Sequence, residues 1–305
     1  MANTTFSGPV RSENSFFIAN KNSSTGIVTD SSLHSSANKD VRRYYLEEYW
    51  KQRPALNAVA SAPLTDADAT AAANDAIIIA RAIASRDFEV LGTSMTTALC
   101  TFDTTRAGII ITTAGTDQNQ AIIAPHLDTN QSSWQTVPWG TENQVTWECT
   151  VTTAASIADI KLWAGLKLTN DQLIVTDADQ AYFKFQTDAT NSEAFTDFTL
   201  LHFVHSIADT DYISALPITV AADTQYHLKI VIDSNRKASI YVNGIQYNVT
   251  STSGSTGGTA VTTGTDKTAA LTEVDLIPYI GVETGTGGAK ALKVHSQAIS
   301  RLIFE

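Results

Sequence analysis

The chain has 305 residues, with 20 Lys plus Arg against 31 Asp plus Glu and a formal net charge of −11 at pH 7. That length can bury a sizeable core, as one large β domain with an appendage or as two modest domains, and the acidic balance argues against a sequence-independent grip on nucleic acid, which needs cations to neutralise phosphates. No basic region precedes Phe16-Phe17-Ile18 as in a secretory leader, and apolar runs such as residues 76–80 fall far short of the roughly 20 residues of a membrane helix, so a soluble protein made in a cytoplasm, with neither membrane nor nucleic acid as partner, is expected.

Residues 1–40 are rich in Ser, Asn, Thr and Gly with isolated apolar positions such as Phe6, Val10 and Leu33. Such a stretch cannot bury enough surface to fold alone, and it reads as an extended N-terminal arm, held either by its own chain or by a neighbouring subunit. Asp40 is a candidate cap for a helix over residues 41–53, VRRYYLEEYWKQR, which stops before Pro54 and places Tyr45 and Tyr49 on one side. Residues 57–63 read as linker. Thr65 or Asp66 then caps a second helical pattern carried by Ile77, Ile78, Arg81 and Ile83, so residues 41–86 form a helical linker region.

From residue 87 the texture changes to short β-type runs divided by Gly, Asp, Asn, Thr and Ser. Strands are predicted near 88–92, 98–102, 107–113, 120–125, 145–152, 160–168, 181–187, 199–207, 212–220, 226–232, 238–242, 245–249, 276–282 and 290–304. The clearest is the meander over 226–249: Tyr226, Leu228, Ile230 and Ile232 alternate with polar residues, Ala238, Ile240 and Val242 resume the pattern after a polar turn, and Asn243-Gly244 suits a type I′ hairpin. So many short strands point to two packed antiparallel sheets over residues 87–305, with the Gly-rich stretch 251–265 as an exposed loop at a sheet edge.

Chemistry is harder to find. A jelly-roll glycosidase presents carboxylates on alternate positions of one strand; the nearest approach is Glu273 and Asp275, with the next acid missing, so the chain is expected not to be an enzyme. His126, His202, His205, His227 and His295 are scattered, and His202 and His205 point to opposite faces if they share a strand. Asp177 with Asp179, and Asp209 with Asp211, are loop pairs that leave calcium open, although acidic turns are common without metal. Trp134 and Trp139 could stack a sugar or anchor a subunit. Cys100 and Cys149 read as buried free thiols, with a disulfide left open.

The strand, polar turn, strand and Asn243-Gly244 sequence resembles the laminin-G and concanavalin A-like jelly roll, and Ile280-Gly281-Val282 followed by residues 299–304 resembles its last strand pair. A narrower resemblance, to structural proteins of marine tailed bacteriophages, is carried by FSGPVRSEN (6–14), FEVLGT (88–93), AGIIITTAGTDQNQAIIAPH (107–126) and WGTENQVTWEC (139–149). It implies a virion component assembled in the host cytoplasm and carries over no catalytic, cofactor or metal residue. The expected role is a capsid decoration or cement protein that binds the major capsid protein and neighbouring copies through its arm; the alternative is a glycan-binding fibre or receptor-binding module.

Overall fold

Residues 226–232 form the strand that their alternation predicts, exposed and buried by turns along Gln225–Ile232, and Asn243 and Gly244 take φ of 51° and 79° to turn the following hairpin. The computed structural model describes residues 19–21, 28–30, 42–51, 53–56, 85–125, 138–168, 177–187, 195, 197–254 and 257–303. The chain divides into two units, Met1–Asp40 and Val41–Glu305. In the first, β1 (Ala19–Lys21) pairs antiparallel with β2 (Val28–Asp30).

The second unit holds β3 (Arg43–Glu48), β4 (Pro54–Leu56), β5 (Ser85–Gly92), β6 (Cys100–Phe102), β7 (Ile109–Thr112), β8 (Gln120–Pro125), β9 (Thr146–Thr153) and β10 (Ile160–Lys167). It continues with β11 (Gln180–Gln186), β12 (Leu200–Ile207), β13 (Thr210–Thr219), β14 (Gln225–Ile232), β15 (Ala238–Val242), β16 (Ile245–Tyr247), β17 (Thr259–Ala260), β18 (Ile277–Thr284) and β19 (Ala291–Leu302). A nine-stranded sheet runs β17-β13-β12-β11-β10-β18-β8-β5-β4. An eight-stranded sheet runs β16-β15-β14-β9-β19-β7-β6, with β3 also on β19. All pairs are antiparallel except β4 with β5 and β13 with β17.

Alternate side chains of the facing sheets fill the space between them: Leu162, Phe183, Phe203 and Val282 from one, Trp147, Leu228, Ile230 and Ile299 from the other. Cys100 and Cys149 are buried free thiols on β6 and β9, which β19 and β7 separate in the sheet. No helix among the described residues is long and apolar enough to cross a membrane.

The helix expected over 41–53 is a correction. Residues 43–48 are extended as β3 and lie antiparallel on the second half of β19, Leu46 opposite Ile299. Tyr44 and Tyr45 suit a strand as well as a helix, and an open edge of β19 supplies the ladder partner that decides between them. Arg43 fixes the pairing: Nη2 donates to Gln144 O (2.6 Å), Ser300 O (3.1 Å) and Thr146 Oγ1 (3.3 Å), and Nε donates to Ser300 Oγ (3.2 Å). The chain then crosses to the other sheet through Trp50, which is buried with φ of 55° and packs edge-on to Phe88 at 5.7 Å. The second expected helix lies outside the described residues. In the stretch 251–265, β17 pairs with the edge of β13.

Candidate functional site

The outward face of the nine-stranded sheet is the place where polar and aromatic groups converge. β10 reads Ile-Lys-Leu-Trp-Ala-Gly-Leu-Lys; Leu162, Ala164 and Leu166 turn into the sandwich, so Lys161, Trp163, Gly165 and Lys167 turn the other way. Register then aligns neighbouring strands in rows: Gln120, Glu283, Lys161 and Gln186; Ile122, Gly281, Trp163, Lys184 and His202; Gly165, Tyr182 and Val204; Lys167, Gln180, Ser206 and Asp211. Leu91, Ile122, Ala124, Trp163, Tyr182, Phe195, Val204 and Tyr279 form their own apolar cluster on this face.

Two glycines make room for the rings. A Cβ on Gly281 would lie 2.5 Å from the Trp163 indole, and one on Gly165 would lie 2.4 Å from Tyr182 Cα. Trp163 therefore lies flat against β18, stacked on Tyr279 with centroids 6.2 Å apart and planes at 24°. The Trp163 Nε1 proton has no hydrogen-bond partner among the described residues.

Polar groups ring this floor. Glu283 accepts from Lys161 Nζ at 2.5 Å and from Gln120 Nε2 at 2.5 Å, so one carboxylate serves two neighbours. Lys167 Nζ stands 4.7 Å from the Tyr279 centroid and 3.7 Å from Asp177 Oδ2; Lys184 Nζ stands 5.3 Å from the Phe195 ring, which itself stacks on His202 at 4.1 Å. Gln180 donates to Ser206 at 2.7 Å, and Ser206 donates to Asp211. These cations are nearly fully buried, as are Trp163, Tyr182 and Tyr279, and their cost of desolvation is offset by paired charge and ring faces. Flat rings and hydrogen-bonding side chains thus form a buried layer on the outward side of the sheet.

The residues singled out from sequence mostly lie elsewhere. His202 belongs to this face, whereas His205, on the same strand, points into the sandwich between Phe203 and Tyr212. Glu273 is exposed and ion-paired with Arg236 at 3.2 Å, and Asp275 sits where the chain bridges Gly140, so neither lies on a strand of the nine-stranded sheet. Burial and the nearby Glu142 push the Asp275 carboxyl up from its ordinary value. Asp177 accepts from Leu168 N, Asp179 from Ala208 N and Asp211, on β13, from Ser206, so these acids serve as hydrogen-bond acceptors within the fold. Among the described residues no group of three or more His, Cys, Asp or Glu could hold a metal ion. Trp139 is buried against Tyr44 at 5.8 Å, which removes it as a sugar platform; Trp134 and His126 lie outside the described residues. The aromatic floor itself escaped sequence reading, and its only local trace is the small residue at Gly165 and Gly281 inside strands.

No protein-family model matches the chain, and no curated protein matches it in sequence. Among solved structures it is similar to a protein of unknown function from Shewanella oneidensis MR-1, at 9% identity over 85% of this chain and 87% of that one, TM-score 0.45. It is also similar to a family 7 alginate lyase solved with substrate (18% identity, 69% and 84% coverage, TM-score 0.43) and to a glycoside hydrolase family 16 endo-glucanase from Bacteroides ovatus (8%, 70% and 95%, TM-score 0.43). The fold is a mainly β, two-sheet jelly-roll sandwich. The expectation that the chain is not an enzyme is corrected: the solved structures it is similar to include a lyase and an endo-glucanase. At these identities the likeness is one of fold and assigns no reaction to this chain.

Proposed function

We propose that this chain is a structural protein of a tailed-bacteriophage virion, a head decoration or cement protein that joins the major capsid protein and further copies of itself through residues 1–40. The observation that carries the reading is the sequence resemblance spread over residues 6–14, 88–93, 107–126 and 139–149. The chain divides into two compact units at Asp40, and the first coincides with the segment that this reading assigns to a neighbour. The test is incorporation. Particles assembled with a chain lacking residues 1–40 should carry none of it although the truncated protein is soluble and folded; normal incorporation overturns the reading.

A second reading, a glycan-binding fibre or receptor-binding module, is favoured by the aromatic floor of Trp163, Tyr182 and Tyr279 with its ring of Gln, Lys and Glu side chains. That floor is buried, so a sugar reaches it only if the face is uncovered. A glycan array probed with and without calcium addresses it: binding that a folded Trp163→Ala variant loses supports recognition at this face, and silence under both conditions removes it.

A further inference from the structure

The two sheets leave a void between them. A cavity of about 40 Å³ lies where β9, β14 and β19 face β10, β11 and β12, lined by Val151, Leu162, Ala164, Phe183, Leu201 and Leu228 among others. Of its lining, Leu162, Leu201 and Val220 keep 8%, 6% and 6% of their surface, while Ile160 and Leu166 on β10 and Phe203 on β12 keep none. Two hydroxyls stand in its lining, and both already hold the connection from β13 to β14. Thr153 Oγ1 donates to Ala221 O (2.6 Å) and accepts from Thr224 N (3.0 Å), while Tyr226 OH accepts from Ala221 N (2.9 Å).

Volume and lining together decide what such a space accepts. A water molecule needs only about 10–15 Å³ of such volume, but it also needs two to four polar partners. This void is roomy enough and offers almost none, because its walls are aliphatic and aromatic and its hydroxyls are engaged. A nonpolar guest desolvates no polar group there and restores dispersion contacts that the lining lacks. We propose that the void is a binding site for one small nonpolar molecule, of the size of a xenon atom or a short alkyl group. The site adjoins the aromatic floor across β10: Leu162 and Ala164 turn toward it, and Trp163 between them borders it while its indole stacks on Tyr279.

Methyl NMR of the full chain under xenon pressure tests the proposal. Saturable shift changes are expected on the methyls of Val151, Leu162, Leu201, Val220 and Leu228, and their loss is expected in two separate variants that narrow the space, Ala164→Val and Val220→Ile, each verified as folded by its spectrum. Changes that are absent, that spread over surface methyls, or that persist in both variants overturn it, as does a slowly exchanging water detected inside the void.

Discussion

His205 carries a charge state set by its surroundings. Its ring is buried between Phe203, at 5.8 Å, and Tyr212, at 4.7 Å, and neither nitrogen is hydrogen-bonded among the described residues. Burial pushes its pKa from 6.5 down to about 3. The folded protein thus binds fewer protons than the unfolded chain between these values, so stability is complete above about pH 6.5 and falls as pH drops toward 3. Between pH 7 and pH 5 this group alone should remove about 2 kcal/mol. Urea unfolding at the two pH values should display that loss in the native chain and a smaller one in His205→Phe; equal losses would show that His205 is not buried as described. Burial also pushes the Cys100 thiol up to about 11 and raises Cys149 well above its ordinary value. Both should resist a thiol reagent at pH 8 in the native protein and react together on unfolding, and a reductant should leave the melting temperature unchanged. Rapid reaction of either in the native state would contradict this.

Strands succeed or fail by their partners. β19 lies between β9 on one side and β7 and β3 on the other, so removing residues 291–305 splits the eight-stranded sheet. The truncated chain should have no cooperative unfolding transition, as read by circular dichroism against denaturant. β3 is more weakly held, and Arg43 is its clasp. Arg43→Met should cost about 1–3 kcal/mol by leaving Gln144 O and Ser300 O without their donor. Hydrogen exchange should speed up in residues 43–48 and not in β14, and uniform acceleration would refute a local clasp. The boundaries of most strands were legible because alternation is local: Gln225–Ile232, Ala238–Val242 and Ile160–Lys167 fall within a residue or so of their sequence-based ranges. β3 was not, because the aromatic and charged pattern of residues 43–48 fits a helix face until β19 offers its edge.

At the scale of the whole molecule, the division at Asp40 predicts independence. Deleting residues 1–40 should leave the melting temperature of the sandwich within about 2 °C of the full chain, a shift on the order of 1 kcal/mol or less. A larger fall would make the leading unit part of the sandwich's stability. Residue chemistry by itself settled the acidic balance, the run of strands from about residue 87 onward, the Asn243-Gly244 turn and the opposite faces of His202 and His205, because charge, turn preference and a period of two are properties of neighbouring residues. Only the tertiary structure decided that residues 43–48 are a strand, that Trp163, Tyr182 and Tyr279 share one floor over Gly165 and Gly281, and that a void remains beside Ala164. Pairing, register and the fit of two sheets depend on residues far apart in the chain, and no local pattern encodes which distant strand will lie alongside.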